Sequence, residues 1–409
     1  MQTSSFQYQC TSCNRTFAPD KVMYLCPDCS AKNTPDQPPF GVLKVLYDYN
    51  NLKSLSFSEI EKQAFLPLLP LKSAASLPPL RVGNTPLYNL HSFENKYLPF
   101  QLLIKDDSTN PTFSYKDRAS ALVSAYAKEN KMDVIAAAST GNAGASMAGI
   151  CASQKQKAII FVPTTAPKAK LTQIMMYGAT IVPVDGNYDA AFDLCIEASN
   201  DFGWYHRNTS YNPFTVEGKK TAAFEIFSQL NQKVPDRIFV PVGDGVIVSS
   251  IFKGFEELIL LGFADHMPVI VSVQADGSSN IIRNLESETF VTSSSHTVAD
   301  SISVDIPRNF RMAKQYIKQY KGETCLVTDE EIVNASALLA KNSGVFTEPA
   351  GAAAFAGMLR YKNENKLVND SVNVILCTGS GLKDVNAVQQ VLQMPAPIKP
   401  DINLIKNIL

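Results

Sequence analysis

Short apolar runs alternate with longer stretches of helical spacing along most of this chain. Residues 102–104, 134–138, 158–163, 179–184, 237–242, 269–274 and 372–377 are apolar nearly throughout and too short for buried helices. The stretches 119–128, 142–153, 167–177, 188–200, 219–229, 248–261, 329–341 and 350–361 carry helix formers at helical period. Strands without a polar face, alternating with helices, predict parallel sheets covered on both sides. Such sheets bind ligands at the carboxyl ends of their strands. Residues 50–80, with prolines at 67, 70, 78 and 79, are expected to be irregular, as are 293–310.

At 409 residues the chain is long enough for two such domains. The expected division is a metal-binding ribbon over 1–32, a linker and the first part of a large domain over 33–118, and a small α/β domain over 119–212. The large domain resumes over 213–395, and a tail covers 396–409. A formal net charge of −1 gives no footprint for nucleic acid or an acidic membrane surface. No basic and apolar leader opens the sequence, and no run reaches the roughly 18 apolar residues of a membrane span. A cytoplasmic protein acting on a small molecule is the expectation.

Four of the eight cysteines form two Cys-x-x-Cys pairs, Cys10 with Cys13 and Cys26 with Cys29, twelve residues apart. Each pair can present two thiolates to one tetrahedral ion, and some 30 residues cannot build a core without such a staple. Four thiolates leave no open position, so a structural Zn ion is expected, with disulfide pairing as the alternative. Cys151, Cys195, Cys325 and Cys377 lie among apolar neighbours, as buried free thiols do. His206, His266 and His296 lack ligand spacing.

Candidate chemistry gathers at strand ends. Asn110 and Pro111 turn the chain after the run 102–104, and Ser114 is suited to cap the following helix. Lys116 then falls in the first helical turn, where the dipole disfavours an ammonium and favours a neutral or covalently engaged amine. The alternative is a solvated lysine flanked by ordinary surface charges at Asp117 and Arg118. The turn Gly243, Asp244, Gly245 sits between strand and helix and offers backbone N–H groups to a phosphate. Ser139 to Asn142 and Thr378 to Gly381 provide hydroxyls and amides at two further strand ends. There is no G-x-G-x-x-G nicotinamide fingerprint and no lysine of the P-loop kind after Gly243. A phosphate cradle together with an activated lysine elsewhere points to pyridoxal phosphate.

Asn110 to Arg118, Ser139 to Asn142, Asn212 to Thr221 and Thr378 to Asp384, read with the cysteine ribbon, resemble the threonine synthase family. That family lies within the fold-type-II, tryptophan synthase β-like pyridoxal-phosphate enzymes, and a subset of it carries a zinc ribbon. The resemblance implies two doubly wound βα domains, and a lyase that converts O-phosphohomoserine and water to threonine and phosphate. It implies that Lys116 bonds the cofactor and moves protons. Asn142 would face the cofactor's phenolic oxygen, and Gly243, Asp244, Gly245, Val246 and Ile247 would cradle its phosphate. Thr378 would face the ring nitrogen, and Ser139, Thr140 and Ser210 would hold substrate. A homodimer is a further expectation from relatives.

Two departures bear on the substrate: Thr215 replaces the family's arginine, and Ala143 replaces a threonine. Lys168, Lys219, Lys220 and Arg308 are candidates to supply the missing cation, each alternatively a surface charge. Phe113 and Tyr115 also replace the family's glycine and phenylalanine. The segment Glu348 to Ala354 is explained by close helix packing. A deaminase or diamino-acid ammonia lyase of the same fold is the second reading, and an inert cofactor-binding or Zn-binding regulator the third.

Overall fold

A computed structural model describes residues 6–166, 168–389, 392 and 395–405. The ends of the expected ribbon and tail, 1–5 and 406–409, and the expected start of a helix at 167 lie outside the described residues.

The apolar runs form two parallel sheets. One has six strands in the order Glu323–Val327, Val269–Ala275, Arg237–Pro241, Val372–Cys377, Gln101–Asp106 and Leu87–Asn89. Only the last pairing is antiparallel. The other sheet has four parallel strands, Thr180–Val184, Lys157–Pro163, Val134–Ala138 and Tyr205–His206. Helices cover both, and buried apolar side chains of helices and strands make the core.

Helix Lys116–Glu129 leaves the strand end of the six-stranded sheet and leads into the four-stranded one. It packs against helices Asn142–Gln154 and Phe214–Gln229, and the latter packs in turn on Val246–Leu260. Helix Phe214–Gln229 is therefore buried on most of its circumference, which places lysines and glutamates of that helix in the interior.

Three elements were not legible in the hydrophobic pattern. Strand Glu323–Val327 alternates buried and half-buried positions at a sheet edge, and so lacks a continuous apolar run. Helix Phe310–Gln319 follows it closely in type, with charges interrupting its buried residues. Within 50–80, helix Phe57–Lys62 is opened by a capping box between Ser56 and Glu59, a Ser-x-x-Glu signal that the sequence did carry.

The N-terminal segment forms a three-stranded antiparallel sheet, Thr16–Phe17, Phe6–Cys10 and Leu43–Tyr47. It docks on the rest through aromatic contacts. Tyr24 stacks on His206 with ring centroids 3.7 Å apart, and its hydroxyl accepts the His206 N–H at 2.9 Å. Tyr47 donates to Glu217 at 2.6 Å. No described helix is long and apolar enough to cross a membrane.

Candidate active site

The loop after strand Gln101–Asp106 is held from both sides. Asp117 accepts from the Thr112 N–H at 2.7 Å and from the Thr112 hydroxyl at 2.5 Å. Arg118 makes paired contacts to Asp107 and to Glu225 at 2.6–2.9 Å, and Lys105 reaches Glu225 at 2.7 Å. Both Asp117 and Arg118 are buried, so neither is a surface charge. They fix the loop and leave Lys116 as the residue it presents.

Ser114 does not cap the helix as expected. The backbone of Tyr115 is already helical, and the Ser114 hydroxyl accepts only the Lys116 N–H, at 3.3 Å. The reason is a second set of bonds: the Tyr115 N–H goes to the Thr378 carbonyl at 2.8 Å, and the Ser380 N–H to the Phe113 carbonyl at 3.0 Å. This short ladder ties the lysine loop to the end of the last strand, and Lys116 and Thr378 line one cavity. Phe113 sits at φ 66°, in the left-handed region where a glycine is at ease.

That cavity, of about 390 Å³, lies at the carboxyl ends of strands from both sheets. It is also lined by Ser139, Thr140, Asn142, Gly243, Asp244, Gly245, Val246 and Ile247. Gly243 has no room for a side chain, since a Cβ there would lie 2.8 Å from Ile302 Cα. Gly245 adopts φ 87° and turns the backbone into helix Val246–Leu260. The free N–H groups at that helix start favour an anion.

Lys116 Nζ has no hydrogen-bond or ion-pair partner among the described residues. Burial pushes its pKa below the usual lysine range, Glu348 opposes this, and Arg207 adds to it. Glu348 was read from sequence only as part of a packing segment, and in the fold its charge acts on Lys116. Its carboxylate accepts from Asn142 Nδ2 at 3.0 and 2.9 Å, and burial raises its pKa.

The remaining candidates separate. Lys219 and Arg308 line the cavity. Lys220 is buried elsewhere, bonded to Glu217 and Glu257 at 2.6–2.9 Å, and Lys168 is exposed at a helix start. Thr215 is buried and spends its hydroxyl on the Asn212 carbonyl, at 2.7 Å. Ser210 does not line the cavity; it is buried behind Thr209, which does. A second cavity of about 450 Å³ borders Arg118 and Glu225, whose polar groups are already paired with one another.

Cys10, Cys13, Cys26 and Cys29 bring their sulfur atoms within 4.8 Å of one another, which a single ion could bridge. The Ser12 N–H donates to Cys10 Sγ at 3.4 Å. Four sulfur donors in this arrangement suit tetrahedral Zn.

The pattern of the family described as pyridoxal-phosphate dependent enzyme matches residues 79–379, which span the lysine loop, the glycine turn and Thr378. The chain belongs to that family. Within it, the chain is 36% identical to threonine synthase of Methanocaldococcus jannaschii, over 98% of each sequence, and 32% identical to that of Methanosarcina acetivorans, again over 98% of each. A Bacillus threonine synthase is 36% identical over 83% of this chain and 94% of its own. Among solved structures, threonine deaminase isoform 2 of Solanum lycopersicum aligns with a TM-score of 0.68 at 21% identity, covering 82% of this chain and 92% of that one. Maize serine racemase aligns at 0.65 and 20%, covering 76% and 92%. These last two likenesses establish the fold alone.

Proposed function

We propose that this protein is a threonine synthase that converts O-phosphohomoserine and water to threonine and phosphate. The observation that carries the reading is the 36% identity to a threonine synthase along 98% of both chains. Pyridoxal phosphate, when bound, supplies an electron sink for carbanionic character in the substrate.

The cavity's own residues account for the rest. Lys116 is the amine that anchors the cofactor and moves protons at the α and β carbons, and its burial favours the neutral form a base requires. The charge of Glu348 favours that amine's protonated form and steadies it. Backbone N–H groups of Gly243 to Ile247 would hold the cofactor's phosphate, and Thr378 and Asn142, which line the same cavity, would serve its ring nitrogen and phenolic oxygen. Ser139 and Thr140, just before helix Asn142–Gln154, hold the substrate carboxylate. Fixed orientation lets one lysine serve several proton transfers. The ribbon holds a structural Zn ion through its four cysteines, and residues 119–212 form the small α/β domain.

Purified protein supplied with pyridoxal phosphate and O-phosphohomoserine should release threonine and phosphate in equal amounts. Ammonia released from threonine, without phosphate release from O-phosphohomoserine, would instead make it a deaminase of the same fold. Lys116→Ala should lose turnover by roughly a hundredfold to ten-thousandfold or more, and lose the visible absorption of the bound cofactor.

A further inference from the structure

Two cations lie beside the candidate active site without a counter-ion. Lys219 is 1% exposed and lines the cavity, and its Nζ makes no hydrogen bond or ion pair among the described residues. It stands four residues after Thr215 in helix Phe214–Gln229, so the two share a face one turn apart. Thr215 is taken up locally, donating to the Asn212 carbonyl and accepting the Ser210 N–H at 3.3 Å.

Arg207 arrives from the four-stranded sheet, just beyond strand Tyr205–His206. It too is 1% exposed, and it forms no ion pair among the described residues. Its Nε reaches Ser120 Oγ at 3.4 Å, its Nη1 reaches Thr209 Oγ1 at 3.3 Å, and its Nη2 is buried with no partner. Thr209 lines the cavity. Burial, then Lys116 and Arg207, disfavour the charge on Lys219 against the pull of Asp244, and burial draws Arg207 down to about 10 against Tyr188, Asp117 and Asp244.

Nearby carboxylates are otherwise engaged. Asp244 accepts the Arg308 N–H at 2.5 Å, and Glu348 holds Asn142. Burying an ion costs several kcal/mol unless something compensates it. The Lys219 amine and the Thr209 hydroxyl line the cavity, and Arg207 stands directly behind Thr209 with one guanidinium donor orphaned, a set that calls for an anion with several oxygens.

We infer that Lys219 and Arg207, with Thr209 between them, form the seat for the phosphate group of the substrate, replacing an arginine at position 215 by a cation one helical turn further on. This rests on the threonine synthase reading. The seat is separate from the backbone cradle at Gly243 to Ile247, which takes the cofactor's phosphate.

The test uses full-length protein loaded with pyridoxal phosphate and titrated with inorganic phosphate by calorimetry. Lys219→Met and Arg207→Met should each weaken phosphate binding by at least about tenfold and raise KM for O-phosphohomoserine by a similar factor. Cofactor absorption and occupancy should stay at the wild-type level. Lys219→Arg should keep phosphate affinity to within about threefold, because charge and reach are retained. Methionine removes a buried charge at similar volume, so Tm should not fall, whereas a merely structural lysine would lower Tm and leave phosphate binding intact. The seat is overturned if wild type turns over O-phosphohomoserine while both methionine variants keep its KM and the phosphate affinity. It is equally overturned if they lose cofactor, which would assign these cations to the cofactor's phosphate. If wild type binds inorganic phosphate through Lys219 but does not turn over O-phosphohomoserine, the substrate reading fails and the anion seat stands.

Discussion

Phe113 is a residue whose backbone disagrees with its side chain. It is half exposed and held at φ 66°, where an L-residue bears a cost of about 1–2 kcal/mol that glycine avoids. Phe113→Gly should therefore raise stability by up to about 1 kcal/mol, read as a higher urea midpoint. His206 shows the opposite economy, since it is buried, stacked on Tyr24, and its pKa is pushed down by burial to about 3. The folded state binds fewer protons than the unfolded one between pH 6.5 and 3. The contribution is complete above pH 6.5 and falls away below it at roughly 1.4 kcal/mol per pH unit. The urea midpoint of His206→Phe, which keeps a ring on Tyr24, should decline less than wild type between pH 7.5 and 5.5. An equal decline would place the acid sensitivity elsewhere. The sequence showed only that this histidine lacks ligand spacing; its weight in stability was not legible, because spacing along the chain says nothing about burial.

Element by element, the lysine loop is rigid because two structures meet on it. One is the backbone ladder to residues 378–380, and the other is the buried cluster of Arg118, Asp107, Glu225 and Lys105. Burial alone would raise the Glu225 pKa, but Arg118 and Lys105 outweigh it and hold it at about 2 against an ordinary 4.5. Its contribution is present above pH 4.5 and is lost as pH falls from 4.5 towards 2, about 3 kcal/mol in all. Glu225→Gln should cost about 3–5 kcal/mol at pH 7 by leaving two buried cations short of a partner. Chemical denaturation at pH 7 and pH 3 measures both effects, and a variant within 1 kcal/mol of wild type at pH 7 would contradict the account. The strands at the centres of the sheets were legible because both their faces are apolar. The edge strand Glu323–Val327 and the amphipathic helix Phe310–Gln319 were not, because half of each faces water.

Across the whole molecule, the ribbon is fastened to the part of the chain that carries the anion seat. Tyr24 packs on His206, the residue before Arg207, and Tyr47 bonds Glu217, two residues before Lys219. With Zn in the four-cysteine site, chelation should unfold residues 6–47 and lower Tm, and KM for O-phosphohomoserine should rise more than kcat falls. Thermal scans and steady-state kinetics before and after chelator, with Zn added back, check this. Unchanged KM in protein shown to be metal-free would mean that the ribbon does not support the site.

The sequence by itself determined the alternation of strands and helices, the four-cysteine cluster, and the glycine turn and the lysine that line one cavity, since each is written in residue type and local spacing. It also showed that position 215 lacks a cation. Which side chain stands in its place was decided only by the tertiary structure. Lys219 and Lys220 are neighbours of identical chemistry, and one faces the cavity while the other enters a cluster with Glu217 and Glu257, through the 100° that separates successive residues on a helix. Glu348, at the start of one helix, and Arg207 with Thr209, in the segment after strand Tyr205–His206, are likewise brought towards Lys116 only after two sheets have packed together.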